Sequence, residues 1–172
     1  MVSRGFAILL VGVLLVASLF AVAVATGSDR PVVTIENDVD DEQHVTVYTV
    51  ADLDEAGYLN FEVTTADGDR RLATLDDLVW PGEYRNVTPV DDVHAQEITV
   101  GPGENVTTSV EDWSRGDVTV YVVETGENRT HTGTRTITCG SRGQEHTLSP
   151  TDAGLGSSTL CAGGFGWLIP WP

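Results

Sequence analysis

Lysine is absent from this chain of 172 residues, and all nine basic side chains are arginine. They stand against 26 acidic residues, for a net charge of −17. No basic patch exists to neutralise phosphates, so nucleic acid is excluded as a partner. The single methionine is Met1, which leaves no axial thioether for a blue-copper centre. Ser157 sits in GLGSST rather than G-x-S-x-G, so there is no nucleophile elbow. No catalytic constellation and no cofactor motif stands out, and an enzyme is not expected. No amphipathic helix is predicted after residue 30; Thr74–Val79 has the length of one turn.

What the chain does have begins at once. SRGFAILLVGVLLVASLFAVAVATG opens it after two residues, without a charged side chain from Gly5 to Ser28. A helix of about 20 apolar residues crosses a hydrocarbon core, and this run is apolar on every face. Three readings stand. The run is an uncleaved membrane anchor, its length exceeding the usual signal core. It is a cleaved signal peptide, with Ala23-Val24-Ala25 as an A-x-A cut site. Or Arg4-Gly5-Phe6, a basic residue and a glycine before a long apolar helix, resembles the processing site of type IV prepilins. In that case Leu10 stands where many bacterial pilins carry an acid. Arg4 before the run and the acidic body after it favour an external body.

After Arg30 the apolar period changes to two, which predicts strands. Val33 and Ile35 alternate with polar residues, as do Val45 and Val47, Leu59, Phe61 and Val63, Ile98 and Val100, and Val106 and Val110. Val118, Val120 and Val122 share one face while Thr119, Tyr121 and Val123 share the other, so that strand is expected to be central and covered on both sides. Every second residue from Thr130 to Thr138 is threonine, as on an edge strand. Asp67-Gly68 suits a tight hairpin with positive φ at both positions. Short strands divided by turns about every ten residues indicate a sandwich or barrel. Asn86, Asn105 and Asn128 each open an N-x-S/T glycosylation acceptor.

Two resemblances add to this. The one-sided acidity resembles proteins of extremely halophilic archaea, whose carboxylates hold hydrated cations in strong salt and repel one another in dilute buffer. ITVGPGENVTTSVEDWSRGDVTVYVVE resembles the later strands of immunoglobulin-like sandwiches in exported archaeal and bacterial proteins, with a V-x-P-G-E hairpin before alternating valines. The resemblance covers residues 31–139 and implies the fold rather than an activity. No cysteine precedes Cys139, so an antibody-type pair around a tryptophan is missing.

Cys139 and Cys161 are expected to form a disulfide outside the cell. The alternative is a metal site made by Cys139, His146, Cys161 and His131, although the spacing matches no usual zinc pattern. His44 and His94 have no partner pattern. DLDEAGYLNFE resembles a calcium loop at Asp52, Asp54 and Gly57 but fails at Ala56 and Val63. Asp38, Asp40, Asp41 and Glu42 read as a solvated turn. Phe165, Trp167 and Trp171 in the tail form a candidate interface with lipid headgroups or a partner.

The expected organisation is a signal peptide or transmembrane anchor over 1–27, an immunoglobulin-like antiparallel β-sandwich over 31–139, and an extension over 140–172 with a disulfide loop and an aromatic tail. The fold class is all-β behind one N-terminal hydrophobic helix. The expected role is a non-enzymatic interaction or structural module of a halophilic envelope, membrane-anchored through residues 5–26 or secreted, with other cell-surface proteins as partners. The alternatives are a type IV pilin-like subunit and an extracellular metal protein or enzyme.

Overall fold

A computed structural model describes residues 30–79, 84–140, 143–151 and 154–161. The expected N-terminal helix, its prepilin-like site and the aromatic tail residues Phe165, Trp167 and Trp171 lie outside the described residues. Among those described, no helix is long and apolar enough to cross a membrane.

The strands are β1 (Val32–Glu36), β2 (Gln43–Val50), β3 (Asn60–Thr64), β4 (Arg70–Thr74), β5 (Arg85–Pro89), β6 (Ala95–Val100), β7 (Asn105–Ser109), β8 (Val118–Thr125), β9 (Thr130–Thr138), β10 (Gln144–Thr151) and β11 (Gly154–Cys161). Helix α1 (Leu53–Tyr58) follows β2, and a 3-10 turn (Asp76–Leu78) follows β4. One sheet has the order β11-β10-β1-β7 and the other β4-β3-β5-β9-β8-β2-β6.

The larger sheet is not one flat layer. Its β5 and β9 share a single residue pair, Arg85 with Thr130. Asn86 and Arg129, beside that pair, both have positive φ. The sheet therefore bends at this corner, and β3, β4, β5 and α1 fold over the outer face of β2 and β8. Two cores result. Val45 and Val47 of β2 and Tyr121 and Val123 of β8 pack with Val33, Ile35, Leu148 and Leu155 of the smaller sheet. Tyr48 and Val50 of β2 and Val118, Val120 and Val122 of β8 pack with Phe61, Val63, Ala73 and Val87. Alternate residues of the same two strands thus serve opposite cores, as a period of two requires. The expectation that β8 lies centrally and is covered on both sides holds: Val118 to Glu124 are all buried.

Several sequence expectations need correction. The sandwich is not wholly antiparallel, because β10 runs parallel to β1. Residue 139 is not the end of the sandwich: β10 and β11 are strands of the smaller sheet, with Leu148 fully buried. The segment alternates weakly because Gln144 and His146 take inward positions of β10 and only Leu155 of β11 is buried. The threonine-rich strand β9 is not an edge, since it pairs along β8 and reaches β5 at its start. Its threonines suit any pleated surface, and Thr134 is buried. The Val100–Glu104 turn is not a hairpin but carries the chain from one sheet to the other, with Gly103 at φ 69°. At Asp67-Gly68 only Gly68 has positive φ. There the Thr65 N–H donates to the Asp69 carbonyl and the Gly68 N–H to the Thr65 carbonyl, a turn closed by a left-handed glycine. The 3-10 turn at Asp76–Leu78 falls within the turn expected at Thr74–Val79.

Helix α1 also replaces the calcium-like reading of its segment. Asp52 caps the helix by accepting from the Glu55 N–H at 2.8 Å, and Glu55 accepts from the Ala51 N–H at 2.8 Å. These acids satisfy orphan backbone donors at a helix start. Only Ala56 of the helix is buried, which explains why no amphipathic period was visible.

Gly133 sets how closely β9 approaches β11. A Cβ placed there would stand 2.8 Å from the Leu155 Cβ. Gly133→Ala is expected to destabilise the protein by roughly 1–3 kcal/mol through overpacking. Gly140→Ala, which meets nothing within 4 Å, is the control. Denaturant titration of both in concentrated KCl checks this.

Candidate functional site

Strand directions give the molecule two distinct poles. At one, here the loop pole, β1 ends, β2 begins, β6 turns into β7, and β8 turns into β9. Their connections bond to one another: the Asn37 N–H donates to the Glu104 carbonyl, and the Gly126 N–H to the Glu42 carbonyl. The terminal pole lies opposite. β1 starts there, β11 finishes there with Cys161 in register with Gln144, and α1 follows the far end of β2.

The three glycosylation acceptors, far apart in sequence, all lie at the loop pole. Asn105 begins β7, Asn128 lies in the β8–β9 turn, and the Asn86 N–H donates to the Arg129 carbonyl at 3.1 Å. All three are exposed. The sequence marked each asparagine but not their convergence.

A charged cluster ties the folded-over layer to this pole. Glu124 on β8 is 1 % exposed and accepts from the Val87 N–H of β5 at 2.9 Å. Arg129 pairs with Glu124 at 3.5 Å and also with Glu97 of β6. Burial pushes the Glu124 carboxyl up, and the Val87 N–H and Arg129 offset part of the rise. Charge-assisted hydrogen bonding to Glu97 holds Arg129 above its ordinary value. Burial also raises the neighbouring Tyr48 hydroxyl, with Glu124 adding to it. Sequence reasoning missed Glu124; the only signal was an acid in line with the valines of β8.

The candidate metal ligands are arranged otherwise than a metal needs. Cys139, just beyond β9, and Cys161, at the end of β11, are joined as a disulfide with their Cα atoms 6.1 Å apart. The bond links the larger sheet to the smaller, so an intersheet disulfide exists after all, at the terminal pole. His146 lies between the sheets, where the Tyr121 hydroxyl stands 2.6 Å from Nδ1 and the Gln144 Oε1 3.2 Å from Nε2. Gln144 Nε2 then donates to the Cys139 carbonyl at 2.7 Å. One tautomer satisfies the chain: Tyr121 donates to Nδ1, and Nε2–H donates to Gln144. His131 is in register with Glu124, on the opposite face of β8 and β9, and its Nε2 meets the Thr134 hydroxyl at 2.9 Å. Both cysteines are consumed and the two histidines face different cores, so these four residues do not form a metal site. Among the described residues no three His, Cys, Asp or Glu side chains group as metal ligands. His44 stands 3.3 Å from Glu42, and His94 3.1 Å from Asp112. Ser157 lies exposed on β11 opposite Leu148.

Two predictions follow from these contacts. Breaking the disulfide, by reduction or by Cys161→Ser, is expected to cost about 3 kcal/mol in the entropic model for a loop of 22 residues. Denaturant titration with and without reductant measures it. Burial lowers both His131 and His146 from 6.5 to about 4. Between those values the unfolded chain binds more protons than the folded one, so stability falls as pH drops from about 6.5 to about 4. Glu124 has the opposite sign, because its raised value lets the folded state take up a proton first. Melting temperature against pH should therefore decline through this window, and less steeply in His146→Gln.

The geometry is that of a sandwich with an added layer, joined by a disulfide and without an assembled catalytic centre among its described residues. No curated protein matches the chain. The family model described as halobacterial Ig domain protein matches residues 1–170, nearly the whole length, and the chain belongs to that family.

Proposed function

We propose that this protein is a non-enzymatic interaction module of a halophilic cell envelope, held outside the cell by a membrane segment at residues 5–26. One observation carries the reading: the two ends of the sandwich leave from the same pole, and the three glycosylation acceptors sit at the other. A chain tethered before Arg30 presents its loop pole outward. The aromatic tail that follows Cys161 then starts on the tether side. Exposed Leu53, Tyr58 and Val90 occupy that same side, close to where a bilayer would lie. Glycans on Asn86, Asn105 and Asn128 would project away from it into solvent.

Family membership supports the halophilic setting and the binding-domain character of the fold. The histidines of the two cores engage buried hydroxyl and amide groups. The partners that fit are other surface proteins, met at the exposed pole. Charge supports this environment too: a net −17 stays soluble in strong salt, where like-charge repulsion is screened to within about 3 Å at 1 M.

The N-terminus and intact mass of the protein from a high-salt host, in membrane and medium fractions, test the proposal. An uncleaved chain in the membrane fraction, with added glycan mass on peptides holding Asn86, Asn105 and Asn128, is the expected result. A start near Thr26 in the medium would replace the tether with secretion. A start at Phe6 would overturn the reading in favour of a pilin-like subunit.

A further inference from the structure

At the loop pole the two sheets part around a cavity of about 450 Å³. Asp38, Asp40 and Asp41 stand on one wall, and Gln43 and Thr125 line it from β2 and β8. Val39 and Pro150 supply apolar surface beside them. Among the described residues no arginine or histidine lines the cavity beside its three aspartates.

The acidic loop is set before any ligand arrives. Asn37 is fully buried, and its Nδ2 lies 2.9 Å from the Asp41 carbonyl, 3.1 Å from that of Val100 and 2.9 Å from that of Gly101. The Gly126 N–H holds the far end of the loop at the Glu42 carbonyl. Preorganisation of this kind removes the ordering cost from a binding step. Gln43 gives a second, independent sign of a missing donor. It is 1 % exposed, and its Nε2 donates to the Thr125 hydroxyl at 2.7 Å and to the Asp41 carbonyl at 3.4 Å. Its Oε1 is left with no partner. A buried acceptor without a donor is costly, and Gln43 is part of the cavity lining.

The spacing of the acceptors decides what kind of cation fits. Calcium gathers six to eight oxygens within about 2.6 Å, and these carboxylates do not group in that way. Separated acceptors suit an extended donor. A guanidinium group has five N–H donors in a rigid plane and pairs with carboxylates in a fork, while its alkyl stem packs on apolar surface. We propose that this cavity binds a guanidinium group on a short alkyl stem, either a free small molecule or an arginine side chain of a protein partner. In strong salt the long-range attraction of the acidic surface is screened, and the contact geometry selects the ligand.

The test uses the full chain in nonionic detergent and concentrated KCl, titrated at fixed ionic strength and followed by backbone amide resonances. The probes are ethylguanidinium and N-acetyl-arginine methylamide. Saturable shifts confined to residues 38–43, 125, 132 and 151 are expected from both. The tighter of the two identifies the source. Asp38→Asn combined with Asp40→Asn, at exposed positions, should weaken binding roughly tenfold or more. Gln43→Met should weaken it as well; if that variant unfolds, the aspartate pair decides. Non-saturating shifts spread over the surface, binding unchanged in the aspartate variant, or saturation of the same amides by CaCl2 in place of the guanidinium probes would each overturn the proposal.

Discussion

β8 is buried on both faces, and the rest of the molecule is arranged around meeting that condition. Its even-numbered valines and its Tyr121–Val123 face cannot be covered by one partner layer, because successive side chains point to opposite sides. The smaller sheet covers one side. The β3–β5 unit, carried on the segment between β2 and β6, covers the other. Each fully buried valine contributes roughly 1.5–3 kcal/mol relative to exposure, so leaving either face open would forfeit several such terms. This explains why a chain with a modest share of apolar residues can still build two cores: the same two strands serve both.

Polar groups settle the relation between layers that hydrophobic contact alone leaves loose. Between the two main sheets, Tyr121, His146 and Gln144 form a hydrogen-bonded line that ends at the Cys139 carbonyl, beside the disulfide. On the opposite face, Glu124 accepts from a β5 backbone N–H while Arg129 bridges it to Glu97. Each is anchored in β8, and each reaches a different covering layer. A satisfied buried polar group disfavours sliding, since a shift of register would leave it without its partner.

The acidic surface and the polarity of the molecule belong to a different level. Most carboxylates are outside, where hydrated cations of a saline medium offset their repulsion. Their distribution does not choose the fold. The loop connections gather acids, glycosylation acceptors and the mouth between the sheets at one pole, while β1 starts and β11 finishes at the other.

Local chemistry made much of the strand content legible. A period of two is set by side-chain alternation and needs no knowledge of the partner strand, so Val33 with Ile35, Val45 with Val47, and the double-faced β8 could be read directly. The 3-10 turn after Thr74 was legible for the same reason, and so was the pairing of the only two cysteines. Tertiary structure alone decided which strands neighbour one another. Strands β10 and β11 lay hidden because Gln144 and His146 stand at inward positions and only Leu155 of β11 is buried, so no apolar period of two marks them. The corner at Arg85 and Thr130, the parallel meeting of β10 with β1 and the convergence of Asn86, Asn105 and Asn128 involve residues far apart in the chain. Such arrangements come from packing that no local pattern encodes.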